Sequence, residues 1–313
     1  MYKENWSIVE DVPTRILTWG ADLDELKSNK DKYTEMIFVI TGNPGIADFY
    51  IEFLNKLHEL VQIPIWVISH AGHEIPENIE AVYGTRKDEF GQRMYDLQQQ
   101  IDHKAAAIRN LVPKDCKLYI IGHSMGAKVA LELVKTPELE KRIEKCYMLF
   151  PTVEHIGRTP NAAFIKPFIK YFGTVVIFLS WIFTLFPVAL KKIMLKCTFT
   201  LTHGAANSCT VSGGMKLIQP AVLRNIFHLT KDEMIEIKDL DVENLRKFRN
   251  KFKFYYGTTD GWSPLKFYEH LIQEIPEMDA EVCCQGIKHA FTIKSAHTMS
   301  EMISNWIKAA MAE

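Results

Sequence analysis

Several features that would define other classes of protein are missing from this sequence of 313 residues. The formal net charge is −1 and no run of Lys and Arg stands out, which argues against nucleic-acid binding. The N-terminal stretch MYKENWSIVE has neither a basic nor an apolar segment, so we expect no signal peptide. There is also no internal repeat and no low-complexity tract.

The six cysteines form no C-x-x-C pair, and several lie in predicted strands. We interpret them as reduced core thiols of a protein that faces the cytosol. His70 and His73 share a loop, but no third ligand is near them, so a metal site is not favoured. We expect both to line the mouth of a pocket, and we expect neither a metal nor a cofactor.

Apolar runs alternate with segments of helical periodicity in both end regions of the chain. This alternation predicts an α/β fold, with a mostly parallel central sheet and helices on both faces. Residues 6–20 are expected to add an antiparallel hairpin at the sheet edge, where Pro13 is tolerated. The other predicted strands are 35–41, 64–69, 118–121, 143–150, 250–257 and 279–285, and the main helices are 47–61, 90–111, 125–135, 264–274 and 296–311.

The alternation stops between residues 152 and 245, where the chain reads as helical or irregular and very apolar. We therefore predict a core that begins with residues 1–151 and resumes with residues 246–313. The segment 152–245 between them is predicted to be an apolar helical cap or a membrane-associating insertion.

Residues 122–126 read GHSMG and match the G-x-S-x-G pattern of a nucleophile elbow. A predicted buried strand precedes the pattern and a predicted helix follows it, which is the context that the pattern requires. Ser124 at the apex must adopt a strained backbone conformation, and side chains at positions 122 and 126 would collide with the turn. Ser124 is therefore the candidate nucleophile.

A serine hydroxyl needs a base that accepts its proton and a third group that orients the base. In this architecture the order along the chain is Ser, then Asp or Glu, then His. Asp260 follows a late strand and His289 follows the last one, so a parallel sheet would bring both to the edge that carries Ser124. We predict that His289 is the general base and that Asp260 holds its tautomer.

Both partners also have simpler interpretations. Asp260 could cap a turn, and His289 could be a solvated loop residue. Asp232, Asp239 and Asp241 compete only weakly for the role of the acid, because they precede the strand in a charged segment.

An oxyanion hole needs two backbone N–H donors. Met125, directly after the nucleophile, would supply one of them. The loop 42–45, GNPG, would supply the other, and we choose Asn43 because Pro44 has no N–H. The alternative is a plain Asn-Pro-Gly turn. His123 is interpreted as a spacer within the elbow.

The GNPG loop, the GHSMG elbow, Asp260 and His289 together resemble the α/β-hydrolase superfamily. More narrowly, the chain resembles the lipid droplet-associated hydrolase family over nearly its whole length. The motifs that carry this resemblance are TGNPG at 41–45, the elbow, TDGWSP at 259–264 and GIKHAF at 286–291. The resemblance implies a serine hydrolase of lipid droplets and endoplasmic reticulum that acts on cholesteryl esters.

Residues 172–190 read FGTVVIFLSWIFTLFPVAL and contain no charged residue. Such a segment is long enough to cross a hydrocarbon core. Lysines flank both of its ends, which favours two ends on the same, cytosolic side. Because Pro167, Gly173 and Pro187 allow bends, we predict a helical hairpin that dips into a lipid monolayer over about residues 164–192. The alternatives are a soluble cap with its apolar faces packed on the core, or a spanning helix.

The function predicted from these features is that of a serine ester hydrolase acting on neutral lipid esters at the cytosolic face of lipid droplets and endoplasmic reticulum. A droplet-surface binding protein with little catalytic activity is one alternative. A soluble small-ester hydrolase or thioesterase is another.

Overall fold

The computed structural model describes residues 1–29, 32–76, 93–204 and 206–312. Eight strands form one sheet, in the spatial order first, second, fourth, third, fifth, sixth, seventh, eighth. Only the contacts of the second strand, with the first and with the fourth, are antiparallel. The strands are β1 (Lys3–Val9), β2 (Val12–Trp19), β3 (Glu35–Ile40), β4 (Ile65–Ile68), β5 (Lys117–His123), β6 (Ile143–Leu149), β7 (Phe252–Tyr256) and β8 (Ala280–Val282).

The centre of the sheet is buried on both faces. Along β3, Phe38 and Ile40 pack into one apolar core while Ile37 and Val39 pack into the other, because successive side chains of a strand point to opposite faces. Continuous apolar runs are what a parallel sheet covered on both faces requires. The predicted mostly parallel α/β sheet is confirmed.

The N-terminal hairpin lies at the sheet edge, as predicted. Of its two strands, β1 is the outermost strand of the sheet, whereas β2 is internal because its residues 16–19 also pair with β4. Pro13 lies before that stretch, so its missing N–H interrupts no hydrogen bond to β4.

Helices cover both faces of the sheet. A turn of 3₁₀ helix, Ala47–Tyr50, precedes the second α-helix, so the helix predicted for 47–61 is α-helical only from Ile51. The α-helices are α1 (Leu23–Ser28), α2 (Ile51–Val61), α3 (Leu97–Leu111), α4 (Met125–Val134), α5 (Pro137–Glu140), α6 (Pro160–Thr184), α7 (Val188–His203), α8 (Ser208–Leu217), α9 (Pro220–Glu236), α10 (Val242–Lys247), α11 (Leu265–Glu274), α12 (Phe291–Lys294) and α13 (Ala296–Ala312).

Helix α3 begins later than predicted. The Asp96 side chain accepts the backbone N–H of Gln99, and the Gln99 side chain accepts the N–H of Asp96, which forms a capping box. The chain at 93–96 is not helical, and positions 90–92 of the predicted helix lie outside the described residues.

The cysteines are not all core thiols, contrary to the prediction. Cys116, Cys146 and Cys283 are buried, whereas Cys197 and Cys284 are exposed. All six are unpaired in the described structure.

Five α-helices of the described chain, α6 to α10, follow β6 before the sheet resumes at β7. The apolar segment 172–190 is divided between α6 and α7 by a turn at Pro187. Pro167 and Gly173 lie within α6 and do not end it, so of the three predicted positions only Pro187 lies at the turn between the two helices. Helix α6 packs mainly against α9, and α7 packs mainly against α8. The domain boundaries at 151 and 245 stay predictions.

Large apolar side chains on α6 and α7 point away from the rest of the molecule, and we call this surface the apolar face. Only Ala162, Ile169, Gly173 and Ser180 of α6 are buried. Among the described helices, α6 alone combines the length and the apolar composition of a membrane-crossing helix. The exposure disagrees with the alternative of a soluble cap whose apolar faces pack on the core. The face comprises Phe164, Tyr171, Phe172, Val175, Phe178, Leu179, Trp181, Leu185, Val188, Leu190 and Ile193.

Candidate active site

Ser124 occupies the turn between β5 and α4, in the strained conformation predicted for it. Its φ is 55° and its ψ is −121°. A Cβ atom on Gly122 would lie 2.6 Å from the Gly126 carbonyl oxygen, and one on Gly126 would lie 2.3 Å from the Ile40 carbonyl oxygen. Only glycine fits at both positions, which is why the motif has its spacing.

The structure brings Ser124, His289 and Asp260 together at the carboxyl ends of the parallel strands. His289 Nε2 lies 2.9 Å from Ser124 Oγ, and His289 Nδ1 lies 2.6 Å from Asp260 Oδ2. The other Asp260 oxygen accepts backbone N–H groups from Trp262 and Ser263, at 2.8 and 3.1 Å. The sequence predicts all three residues at this edge.

The environment of Asp260 favours its charged form. Burial by itself would raise the pKa of this carboxyl group, but the hydrogen bond and charge of His289 and the two backbone donors outweigh burial, and the pKa is lowered. An ionised Asp260 accepts the Nδ1–H of His289, which leaves Nε2 free to accept the proton of the Ser124 hydroxyl.

His123 is more than the spacer that the sequence suggested. The Gly42 N–H donates to the Tyr50 hydroxyl oxygen at 2.9 Å, and that hydroxyl lies 2.6 Å from His123 Nδ1. His123 Nε2 lies 3.0 Å from the His289 carbonyl oxygen. Burial lowers the pKa of His123 to about 3, so the ring is neutral, accepts from Tyr50 and donates to His289.

This chain of hydrogen bonds joins the GNPG loop to the loop that carries His289. The sequence gives no local signal for these hydrogen bonds, because Tyr50 and His123 belong to separate elements that only the fold brings together.

Asn43 lines the same cavity as Ser124, and Met125 directly follows Ser124 in the chain. Met125 is the first residue of α4, so its N–H has no acceptor within the helix. A Cβ atom on Gly42 would lie 2.8 Å from Ser124 Cβ, which shows how closely the GNPG loop approaches the serine. Within the described part of the chain, the backbone N–H of Asn43 has no hydrogen-bond acceptor.

A cavity of about 220 Å³ opens beside Ser124. Its walls come from the GNPG loop, the His289 loop, α6 and α9. A second cavity of about 740 Å³ lies at α7 and α8 and includes Lys192 and Lys196, but neither Ser124 nor His289 lines it. The residues around the cavity at Ser124 include Asn43, Ile165, Phe168, Ile169, Ile226, Phe227, Thr230, Glu233, Trp262 and His289.

His70 and His73 do not line the mouth of the pocket, contrary to the prediction. Both are buried behind the GNPG loop, where His73 Nδ1 lies 2.6 Å from the Pro44 carbonyl oxygen. Burial lowers the pKa of His73 to about 4 and that of His70 well below its usual range. No cluster of three potential metal ligands occurs in the ranges that the structure describes.

Comparison with known proteins agrees with this architecture. A family model described as lipid-droplet associated hydrolase matches residues 33–292. A lipid droplet-associated hydrolase of Drosophila melanogaster is 35% identical over 311 residues, which cover 98% of each chain. One from Mus musculus is 33% identical over 97% of this chain and 94% of its own.

Among solved structures, a bacterial membrane phospholipase A superposes on 100% of this chain and 87% of its own, with a TM-score of 0.68. At 11% sequence identity this likeness shows the fold alone, and it confirms the predicted α/β-hydrolase fold. The family match over most of the length, together with full-length relatives above 30% identity, leads to one conclusion: the chain belongs to the lipid droplet-associated hydrolase family.

Proposed function

We propose that this protein is a serine ester hydrolase in which Ser124 is the nucleophile, His289 the general base and Asp260 the residue that orients His289. The observation that carries the proposal is the unbroken series of contacts from Ser124 Oγ through the His289 ring to Asp260. The backbone N–H groups of Asn43 and Met125 are assigned to the oxyanion hole.

The reaction proceeds in two halves. Ser124 Oγ attacks the ester carbonyl carbon while its proton moves to His289 Nε2, and the two N–H groups stabilise the resulting oxyanion. His289 then returns the proton to the leaving alcohol, and the acyl group remains on Ser124. Water repeats the sequence, releases the carboxylic acid and restores the serine. Asp260 stays ionised and stabilises the imidazolium in both halves.

The substrate class we assign is neutral lipid esters, including the cholesteryl esters that the family resemblance implies. Phe168 lines the cavity beside Ser124 and also packs against Phe164 and Phe172 of the apolar face, with ring centroids 6.3 and 5.9 Å apart. This aromatic row offers a route from a lipid phase to the serine. The cavity is too small for a long-chain ester, so the rest of the lipid would extend along the row.

We assign the location to the cytosolic face of lipid droplets and endoplasmic reticulum, with contact over about residues 164–192. The named relatives are lipid droplet-associated proteins. Burial of each large side chain of the apolar face would contribute roughly 1.5–3 kcal/mol, so a few of them suffice for binding to a monolayer. Lys170, Lys191 and Lys192 flank the uncharged segment 172–190, where they can remain at the level of the lipid headgroups.

The small volume of the cavity favours a second candidate, a hydrolase of small esters or thioesters. The apolar face would support a third, a droplet-binding protein with little turnover.

Labelling with a fluorophosphonate probe and hydrolysis of an ester panel, from short soluble esters to cholesteryl oleate, separate these candidates. Ser124→Ala should lose all labelling, and turnover should fall by roughly 10⁴-fold or more. Ser208→Ala, at an exposed serine on α8, is the matched control and should behave as wild type. Labelling that persists in Ser124→Ala would refute the nucleophile, and activity limited to short esters would establish the second candidate.

A further inference from the structure

A carboxyl group that the reaction does not use lies in the wall of the cavity beside Ser124. Glu233 of α9 is only 4% exposed, and it lines the cavity together with Ser124 and His289. Within the described part of the chain, no Lys, Arg or His forms an ion pair with it. A buried carboxylate without a cation is costly, so this environment favours the neutral acid.

The hydrogen bonds around Asn43 determine which oxygen of Glu233 carries the proton. Thr230 donates its hydroxyl hydrogen to the Ile226 carbonyl at 2.7 Å, so it must accept from Asn43 Nδ2, which lies 2.8 Å away. The same nitrogen donates to Glu233 Oε1 at 3.1 Å. Because Oε1 accepts, the proton of the neutral acid belongs on Oε2.

These contacts attach the GNPG loop to the helical insertion. Asn43 is held through its side chain by Thr230 and Glu233 of α9, and its neighbour Gly42 is held by Tyr50 of the core. The orientation of the Asn43 backbone N–H, which must point at the developing oxyanion, therefore depends on α9.

We propose that Glu233 is a positioning residue for the oxyanion loop: as a neutral acid it fixes Asn43 from α9, and its ionisation reduces activity. This inference rests on the proposed serine-hydrolase function. An ionised Glu233 would place a negative charge in the cavity where the oxyanion forms, and like charges in a low-dielectric site oppose each other strongly.

The pH range of this effect follows from the burial of the group. The pKa of Glu233 is raised to about 8 as the net result of three causes: burial raises it most, the hydrogen bond from Asn43 lowers it, and the charge of Asp232 raises it. The neutral form therefore predominates below about pH 8, and the inhibitory anion forms above it. The titratable or charged groups on the surrounding elements include Asp232 on α9, Lys166 on α6, His155 and Arg158 beside α9, His103 and Lys104 on α3, His70 and His73 behind the loop, and His289 across the cavity.

The test compares Glu233→Gln and Glu233→Ala in the full-length protein, with a short soluble ester as substrate. Gln keeps the carbonyl acceptor for Asn43 but cannot ionise. We expect wild-type kcat to fall about tenfold per pH unit above the pKa of Glu233, and Glu233→Gln to lack that decline. Glu233→Ala should lower kcat about 10- to 100-fold at pH 7, with little change in KM, because part of one oxyanion interaction is lost.

Glu236→Gln changes an exposed glutamate of the same helix and should retain the wild-type pH profile of kcat.

The thermal stabilities of wild type and Glu233→Gln provide a second measurement. Folded Glu233 stays neutral from its unfolded pKa of 4.5 up to about 8, whereas the unfolded chain ionises over that range. Wild type should therefore lose thermal stability relative to Glu233→Gln as the pH rises from 5 to 8.

The inference is overturned if Glu233→Gln shows the same alkaline decline as wild type, or if Glu233→Ala folds and keeps the wild-type kcat. Should Glu233→Ala not fold, the comparison of wild type with Glu233→Gln decides alone. Probe labelling of wild type at Ser124 identifies which proposal has failed. Labelled, active wild type with an unchanged Gln profile refutes only this inference, whereas wild type without labelling overturns the proposed function as well.

Discussion

The edge of the sheet that carries Ser124 and the apolar face of α6 and α7 are organised in opposite ways. At the sheet edge the side chains of Ser124, His289 and Asp260 are largely enclosed, and each bonds to the next. On the apolar face Phe164 and Leu185 are 70% and 65% exposed. The contacts of the first region are all made within one chain. The apolar face is left uncovered by the chain, and so large an exposed apolar surface indicates a site that another apolar phase must cover.

The two regions are joined through α8 and α9. Asp48, in the 3₁₀ turn before α2, is buried between Arg15 of β2 and Lys216 of α8, and it also accepts the hydroxyl of Ser212. The contacts of Asn43 with α9 form the second connection. Chemistry and surface binding can therefore be disturbed separately, or together by breaking the connection.

The largest effect is expected from a change confined to the sheet edge. Asp260→Asn should preserve folding but reduce kcat by about 10⁴-fold, because the amide would stabilise the wrong tautomer of His289. Asp241→Asn is the control, since Asp241 caps α10 and pairs with Lys135 away from Ser124. A nearly normal kcat in Asp260→Asn beside an inactive Asp241→Asn would show that the acid has been assigned to the wrong residue.

A change confined to the apolar face should separate binding from chemistry. Phe178 and Trp181 are 57% and 52% exposed, whereas Ile182 is half-buried, so we choose Phe178→Asp with Trp181→Lys. Losing two aromatic side chains that the monolayer would bury, and inserting two charges there, should cost several kcal/mol of monolayer binding. The protein should no longer float with lipid droplets but should still melt and label at Ser124 as wild type does.

The matched control for this pair is Ile8→Asp, which changes an exposed apolar residue of β1 and should leave flotation intact. Unchanged flotation of the double variant would contradict the assigned role of the face, and so would a collapsed fold.

The smallest effect is expected at the connection between the regions. Asp48→Ala should lower the free energy of unfolding by about 1–3 kcal/mol, because the buried Arg15 and the half-buried Lys216 each lose one anion while both keep Glu74. Glu144→Ala, which removes an exposed partner of Lys117, should cost about 0–1 kcal/mol. Urea denaturation measures both, and equal losses would mean that the buried network adds nothing to the connection.

The sequence by itself determined the sheet and the residues at its edge. Apolar runs, helical periodicity and glycine spacing are local properties, so they predict the strands, the elbow at Ser124 and the loops that hold Asp260 and His289. Because right-handed crossovers connect parallel strands, the loops that follow the strands meet at one edge of the sheet. The apolar composition of residues 172–190 was equally visible, because membrane compatibility depends on composition over a short window.

Only the tertiary structure decided which polar residues meet between elements and which apolar residues stay uncovered. His123 reads as a spacer and Glu233 as one more acid of a charged helix until the fold places them against Tyr50 and Asn43. His70 and His73 read as loop residues until the GNPG loop covers them. Burial and pairing depend on contacts between distant parts of the chain, and no local pattern encodes those contacts.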